Sequence, residues 1–518
     1  MTAQDCDVLI IGAGTAGCVL ASRLSERADY KIHLVEAGGE PTDPRISNPA
    51  AWPLLGGSAI DWKFETVPQR GTAGRVHEWP RGKVIGGSSA LHAMGHMRGH
   101  PADFDGWEAA GATGWNFETL LPYFVRSETS PFAGEEGYGA SGPVHLEQPS
   151  TPHPLTQAHR KACANLGFMP IRDHNGKEMA GPTLNTLTIA DGKRVSAADA
   201  YLPPTVRARG NLHVGTGLLV DRLIFDDENR AIGILAHRDG KPIELRARVG
   251  VVLTAGAIGT PTILMRSGIG PAQPLSALSI PVLRDSPAVG ENLQDHLLAA
   301  GNVYLASQKV PPTTTQHSES LCYIHAKGQG KNDAPALVVG IVTVPVITDT
   351  LRTKVNAPDV GDGYTLMFGI THPASRGRLS ITSPDPRSTP SIDPAYLTAR
   401  IDRTRFVEAL TIARSIGASE AYSPWRKEEL LPTPEDLIDD ASIELFIERA
   451  AYTHHHPVGT CRMGSDDHAP VTPDLAVRGT SGLYVVDGSI IPSLTTGPVN
   501  AAILAIAERA ADLLPQQF

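Results

Sequence analysis

The sequence predicts a mixed α/β fold of at least two domains, and three observations lead to it. The chain has 518 residues and a mass of 55.0 kDa, which is more than one hydrophobic core usually holds. Its first 40 residues run through strand, glycine-rich turn, helix and strand, as a parallel βαβ unit does. Residues 300–454 lose this alternation and show strand-like runs before a helical stretch near residues 403–416.

The N-terminal unit carries the pattern of a dinucleotide-binding turn. Residues 8–11 are all apolar, which is typical of a strand buried on both faces, and Gly12, Gly14 and Gly17 follow. In such a turn the glycines permit a tight bend, a close approach of the backbone to a pyrophosphate, and close packing of the next helix. The second strand ends at Glu36, where a carboxylate can bind an adenosine ribose. A glycine-rich turn that binds nothing is the alternative, and this motif alone does not separate FAD from NAD.

Composition and charge exclude several other classes of protein. The chain has 45 basic and 55 acidic residues and no basic tract, so we expect no nucleic-acid partner. The sequence contains no apolar span of about 18 residues, the length that a membrane helix needs, so we predict no membrane helix. The first strand begins within a few residues of Met1, so we expect no signal or transit peptide. Five cysteines without CxxC spacing predict the reduced thiols of a cytoplasmic protein.

Five further segments resemble blocks of a single enzyme family. The first, residues 82–99, contains a Gly-Gly-Ser-Ser turn whose backbone N–H groups suit an anion or the edge of a flat ring. The others are residues 256–270, 289–296, 454–464 and 484–510. With the N-terminal turn these segments span the chain, and the sequence is identified as a member of the glucose–methanol–choline (GMC) family of FAD-dependent oxidoreductases.

The resemblance implies a two-domain enzyme and selects FAD as its cofactor. A discontinuous, Rossmann-like FAD-binding domain would comprise residues 1–155, 198–298 and 455–518. A substrate-binding domain, an antiparallel sheet backed by helices, would comprise residues 156–197 and 299–454. The family's chemistry implies oxidation of a primary alcohol by hydride transfer to flavin N5, and O2 is the expected acceptor.

The motifs and the resemblance together imply a set of FAD-binding residues. From the first βαβ unit they are Gly12, Gly14, Thr15, Ala16, Gly17, Glu36 and Ala37. From the middle of the chain they are Trp62, Val84, Gly87, Ser88, His92, Ala93, Met94, Val220 and Gly256. From the C-terminal segments they are His455, Asp487, Gly488, Val499 and Asn500. Some family members link FAD to a histidine, but Leu91 occupies that position here, so we expect non-covalent FAD.

The histidine run before Pro457 offers candidates for the chemistry. The residue before a proline favours extended backbone, and in an extended chain His454 and His456 point the same way while His455 points the opposite way. We therefore expect two imidazoles to face one pocket. A metal site is the alternative, but no third ligand accompanies the pair, so we predict no bound metal.

The resemblance places His456 at the position of the family's catalytic histidine. Histidine suits the role of base because its pKa lies near neutrality; a buried structural histidine is the alternative. Family members usually carry a second His or Asn about forty residues further on, and here Pro498 occupies that position. Proline has no side-chain donor or acceptor, so we expect His454 to supply the missing polar contact.

Pro498 with an upstream histidine pair resembles family members that oxidise pyridoxine. We therefore expect a small-molecule alcohol substrate, pyridoxine, which would give pyridoxal and hydrogen peroxide. The alternatives within the family are oxidases or dehydrogenases of choline, aryl alcohols or furfuryl alcohols. A flavin-containing hydroxynitrile lyase and a flavin-binding protein without activity are alternatives of other classes.

Two other stretches carry weaker signals. Residues 150–197 are predicted to be rich in loops, with His153, His159 and His174 as surface or capping residues. Residues 501–513 predict a final amphipathic helix whose N-terminal dipole could stabilise negative charge on a reduced flavin. A helix that only packs against the core is the alternative.

Overall fold

The fold is described by a computed structural model that covers residues 4–518, and two large sheets organise it. In chain order the strands are β1 Gln4–Ile11, β2 Ile32–Val35, β3 Phe64–Glu65, β4 Glu78–Trp79, β5 Glu128–Thr129, β6 Val144–His145, β7 Gly181–Leu184, β8 Ile189–Ala190, β9 Lys193–Arg194, β10 Leu212–Gly215, β11 Leu219–Phe225, β12 Ala231–Arg238, β13 Lys241–Leu253, β14 Ile269–Gly270, β15 Arg284–Asp285, β16 Leu297–Ala299, β17 Val303–Ala306, β18 Ser320–Ile324, β19 Leu337–Val342, β20 Gly363–Ile370, β21 Arg378–Ser380, β22 Ser391–Asp393, β23 Arg426–Leu431, β24 Ala451–Thr453 and β25 Leu483–Val485. The α-helices are α1 Thr15–Leu24, α2 Pro101–Ala109, α3 Phe117–Ser127, α4 Pro154–Asn165, α5 Ala197–Tyr201, α6 Pro204–Arg207, α7 Gly256–Arg266, α8 Ala272–Ala277, α9 Asp349–Arg352, α10 Arg400–Ala418, α11 Asp440–Ala450 and α12 Asn500–Leu513.

The first sheet has β1 at its centre. Its order is β10-β2-β1-β13-β12-β11, and β25 pairs with β13. The pairs among β10, β2, β1, β13 and β25 are parallel, whereas β11 and β12 continue the sheet as an antiparallel meander. Helices α1 and α12 pack against each other beside this sheet, and their buried aliphatic side chains join its core. The Rossmann-like arrangement predicted from the sequence is confirmed.

The second sheet is antiparallel, as the family resemblance implied. Its order is β23-β17-β20-β19-β18-β7, and β16 joins β20 to β24. Helix α10 packs against β19 and β20, and α4 packs against β18 and β19. The division into domains at the residue numbers given above stays a prediction.

Strand alternation gives the second sheet two different faces. Residues such as Leu297, Phe368 and Val339 point to one face, where they pack with α4, α10 and α11 in one large core. Their neighbours Leu298, Met367 and Tyr323 point to the other face and form a smaller apolar cluster with Met97 and Met179, which we call the methionine cluster.

The structure differs from the sequence predictions in the middle of the chain. Residues 150–197, predicted to be rich in loops, contain helix α4, which His153 caps by accepting a hydrogen bond at Nδ1 from the Leu155 N–H (3.1 Å). His159 and His174 are buried, so their placement at the surface was wrong. Strands β10 and β11 are separated at Gly217, whose φ is +67°.

The five cysteines are buried thiols. Among residues 4–518, no helix is both long enough and apolar enough to span a membrane.

We predict that the contact between α1 and the glycine-rich turn at Gly12 leaves no room for a side chain. A Cβ added at Gly17 would lie 1.9 Å from the Gly12 carbonyl oxygen, so Gly17→Ala should destabilise the protein by about 1–3 kcal/mol, the usual effect of overpacking. Urea unfolding measures this change.

The matched control is Gly106→Ala, because Gly106 is an exposed helical glycine with no atom within 4 Å of an added Cβ. This change should stabilise the protein by up to about 1 kcal/mol through helix propensity. Equal effects of the two substitutions would contradict the packing argument.

Candidate active site

The glycine-rich turns at residues 12–17 and 86–87 lie directly against each other. Gly12 has a φ of +106°, and Gly14 is the residue that precedes helix α1. A Cβ added at Gly87 would lie 2.6 Å from the Gly14 Cα, so the second turn passes over the start of α1 at backbone distance. The Gly86 N–H donates to the Ala13 carbonyl (2.8 Å). These turns leave a backbone-lined cradle at a helix N-terminus, which suits a diphosphate.

Glu36 lies beneath this cradle at the end of β2. Its carboxylate accepts hydrogen bonds from the backbone N–H groups of Ala13 (2.9 Å) and Gly38 (2.8 Å). Burial raises the pKa of Glu36 to about 7. A carboxylate has four lone-pair sites, so two remain for the hydroxyl groups of a ribose.

The C-terminal segments join the same cradle. Thr15 donates its hydroxyl hydrogen to Asn500 Oδ1 (2.7 Å), which links the first residue of α1 to the first residue of α12. Asp487 accepts hydrogen bonds from the Gly256 N–H (2.8 Å) and the Thr260 hydroxyl (2.6 Å), so it connects α7 to the C-terminal block. Burial raises the pKa of Asp487. Segments about 230 and 485 residues apart in sequence are thereby brought together.

The remaining residues predicted to bind FAD are distributed around these turns. Ala16, Val84, Met94, Gly488 and Val499 are buried, and Ala37, His92 and Ala93 are partly exposed. Ser88 accepts a hydrogen bond from the Gly82 N–H (3.2 Å), and Trp62 stacks on Phe64. Val220 is buried on β11, where its carbonyl accepts a hydrogen bond from Arg266 (3.4 Å).

His454 and His456 face each other, although not for the reason given from the sequence. Their ring centroids are 4.8 Å apart with an interplanar angle of 69°. His455 between them has a φ of +65°, so the chain turns through the left-handed region there and the expectation of extended backbone was wrong. The Arg81 guanidinium donates to the His455 carbonyl (2.6 Å) and holds this turn.

A buried carboxylate fixes the backbone of the histidine run. Asp295 Oδ1 accepts a hydrogen bond from the His456 N–H (2.6 Å). Its Oδ2 accepts from the hydroxyl groups of Thr453 (2.6 Å) and Tyr396. Burial raises the pKa of Asp295, while these hydrogen bonds and Arg81 act in the opposite direction.

A third imidazole, His296, completes the site, although no role for it was predicted from the sequence. His296 Nδ1 lies 2.9 Å from His456 Nδ1, and His296 Nε2 lies 2.8 Å from the Thr371 carbonyl oxygen. The backbone pairs as well, because the His454 N–H donates to the His296 carbonyl (2.8 Å). His296 ends the family block at residues 289–296, which was the available signal.

All of these imidazoles are neutral at pH 7. Loss of hydration lowers the pKa of His454 to about 4 and that of His296 to about 3. It also lowers the pKa values of His455 and His456 well below their usual range, and neighbouring imidazoles and Arg81 add to the effect. In residues 4–518, no group of three potential ligand side chains is arranged to hold a metal ion.

Pro498 lies near the methionine cluster, which shares a sheet face with the histidines. The proline is partly exposed and precedes α12 by two positions. A Cβ added at Gly95 would lie 3.8 Å from Pro498 Cγ and 3.6 Å from Met97 Sδ. Leu298 and Tyr452, which pair across β16 and β24, stand two positions from His296 and His454 respectively. The polar histidines and the apolar cluster therefore share one face of the second sheet.

We predict a loss of stability on mild acidification because these histidines have lost hydration and are neutral in the folded protein. Below pH 6.5 the unfolded chain protonates each of them while the folded chain does not. Each such group then lowers the free energy of unfolding by about 1.4 kcal/mol per pH unit. For His454 this loss runs from pH 6.5 to about 4. Urea unfolding at pH 7.0, 6.0 and 5.5 measures it.

The variant His454→Gln should reduce the slope of unfolding free energy against pH by the contribution of one proton, about 1.4 kcal/mol per pH unit. The control, His468→Gln, replaces an exposed histidine and should leave the slope as it is. An unchanged slope in His454→Gln would contradict the burial argument.

Comparison with known proteins agrees with this geometry. Models of the GMC oxidoreductase family match residues 6–298 and residues 373–507. The chain is 45% identical over 504 residues to pyridoxine 4-oxidase of Microbacterium luteolum, which covers 97% of this chain and 98% of that protein. It is 34% identical to the mitochondrial choline dehydrogenase of Mus musculus, over 98% of this chain and 89% of that one.

A solved structure gives the same result. The crystal structure of pyridoxine 4-oxidase from Mesorbium loti superposes with a TM-score of 0.94 at 47% identity, over 98% of both chains. The family resemblance found in the sequence is therefore confirmed, and the chain belongs to the GMC family of FAD-dependent oxidoreductases.

Proposed function

We propose that this FAD-dependent alcohol oxidase converts pyridoxine to pyridoxal, with O2 as the acceptor and hydrogen peroxide as the second product. The observation that carries the proposal is the pair of neutral imidazoles, His454 and His456, in contact with each other on the sheet face that carries the methionine cluster. The 45% identity to one pyridoxine 4-oxidase and the 47% identity to the solved structure of another support this substrate.

The cradle at the start of α1 fits FAD. Any side chain at Gly17 or Gly87 would fill space that the backbone needs, and Glu36 retains acceptor sites for a ribose. We propose that Thr15, Asn500 and the predicted residues around these turns hold the cofactor. When bound, FAD supplies the hydride acceptor. Because Leu91 has no nucleophile, we propose that the cofactor is not covalently linked.

In the proposed reaction His456 accepts the hydroxyl proton of the alcohol. A base must be unprotonated before it acts, and burial keeps His456 neutral at pH 7. Neither ring nitrogen of His454 has a hydrogen-bonding partner among residues 4–518, so its ring is available for a second oxygen of the substrate. This contact replaces the side chain that Pro498 cannot provide.

The methionine cluster offers a wall for the rest of the substrate. Thioether and aliphatic side chains pack well on flat rings, and Met97 lies beside both Pro498 and this cluster. A pyridine ring carries its polar groups at its edge, so it can lie on this wall while its oxygens reach the histidines. We propose that most of this wall belongs to the substrate-binding domain, while Met97 and Leu298 lie in the segments predicted to bind FAD. We also propose that the buried thiols belong to a cytoplasmic enzyme.

We predict that pyridoxine reduces the flavin of the purified enzyme under anaerobic conditions and that admitted air rapidly restores the oxidised absorbance. Choline and an aryl alcohol, tested separately, serve as the comparison substrates. Acid precipitation should release the flavin as FAD, in accord with non-covalent binding.

Each other outcome of this experiment argues against a specific part of the proposal. Slow return of absorbance in air would indicate a dehydrogenase with another acceptor. Reduction by a different alcohol alone would remove pyridoxine as the substrate, and no reduction by any alcohol would favour the hydroxynitrile lyase.

We predict that His456→Asn slows flavin reduction by about 10²–10⁴-fold, the usual contribution of a general base. The rate in the variant should rise with pH, because solvent must then generate the alkoxide. The matched control is His159→Asn, since His159 is buried on the opposite face of the second sheet. Wild-type rates in His456→Asn would contradict the assignment of the base.

A further inference from the structure

His296 and His456 are joined by a hydrogen bond between their Nδ1 atoms. The two Nδ1 atoms are 2.9 Å apart, so one of them must carry a hydrogen and the other must accept it. The rings meet edge to face, with centroids 5.1 Å apart. The ladder that pairs Gln294 with Val458 and the His296 carbonyl with the His454 N–H fixes both backbones.

The hydrogen bond between His296 and the Thr371 carbonyl indicates which ring nitrogen of His296 carries the hydrogen. Its Nε2 lies 2.8 Å from the Thr371 carbonyl oxygen, which can only accept, so Nε2 carries a hydrogen. A neutral imidazole has one N–H, and burial keeps His296 neutral. Its Nδ1 is therefore the acceptor, and His456 Nδ1 carries the shared hydrogen. In the opposite tautomer of His296, the lone pair of Nε2 would face a lone pair of the Thr371 carbonyl oxygen.

We propose that His296 is a positioning residue that holds His456 in the Nδ1–H tautomer, so that the bare Nε2 faces the substrate hydroxyl. This inference rests on the proposed function, in which His456 is the base. Once Nε2 takes the proton of the alcohol, the Nδ1–H of the imidazolium donates a stronger, charge-assisted hydrogen bond to His296. Without His296, both neutral tautomers of His456 become accessible, and one of them has no lone pair at Nε2.

Three variants of His296 separate the hydrogen bond from simple packing. His296→Leu removes both polar contacts. His296→Gln retains a donor for the Thr371 carbonyl but lacks an acceptor for His456. His296→Asn places an amide oxygen near the former Nδ1 and so restores that acceptor. The control is His159→Leu, which replaces a buried histidine on the opposite face of the sheet.

The first measurement is the limiting rate of flavin reduction in the holoenzyme across pH. We expect Leu and Gln at position 296 to lower the rate by about 10–10³-fold at pH 7, less than the 10⁴-fold that a wrong tautomer produces in a serine protease triad. The rate in both variants should climb with pH, and Asn should recover at least tenfold. Equal loss in all three variants with an unchanged pH profile would show a packing role and overturn the inference.

The second measurement is independent of turnover. Nitrogen-15 NMR of histidine-labelled protein reports which ring nitrogen of His456 bears hydrogen, with its signals assigned from His456→Asn. We expect a protonated Nδ1 and a bare Nε2 in the wild type, and a mixture in His296→Leu. A protonated Nε2 in the wild type would overturn the inference even where pyridoxine reduces the flavin. If no alcohol reduces the flavin of the wild-type enzyme, the proposed function fails. The NMR result for the His456 tautomer still tests the inference in that case.

Discussion

The buried Asp295 carboxylate is the interaction on which the geometry of the site depends. It accepts hydrogen bonds from the backbone of His456 and from the hydroxyl groups of Thr453 and Tyr396. An uncompensated carboxylate at this depth would be strongly unfavourable, so these donors must remain in place for the chain to fold as it does. The left-handed turn at His455 is one result, because it lets His456 reach Asp295 while its ring returns toward His454.

A comparable constraint operates at the other end of the site. Backbone rather than side chains makes the contacts among residues 12–17 and 86–87, so there is no side chain that could adapt to a shift. The start of α12 is fixed to the start of α1 through Thr15 and Asn500. Backbone contacts thus fix the nucleotide cradle, whereas hydrogen bonds to Asp295 and from Arg81 fix the histidine run.

Sequence patterns predicted those parts of the structure whose conformation depends on residues close together in the chain. The run of apolar residues before Gly12 predicted β1, and the glycine spacing predicted the close approach of α1 to the turn. The backbone at His455 could not be predicted in this way, because the preference of His456 for extended backbone before Pro457 is weak beside the hydrogen bond that the His456 N–H donates to Asp295, 161 residues away in sequence. His296 was missed for the same reason, since its role arises only when β16 pairs with β24.

The two faces of the second sheet have a consequence for how such an enzyme can diversify. Neighbouring positions on one strand contribute to different clusters: Phe368 and Val339 belong to the helix-covered core, whereas Met367 and Val338 belong to the methionine cluster, which we propose as the wall of the substrate site. Replacement of wall residues can alter the shape presented to a substrate without opening a void beneath α10. Residues that stabilise the core thus alternate along the same strands with residues that we propose contact the substrate. Substitutions in the second set can therefore accumulate with little effect on the first.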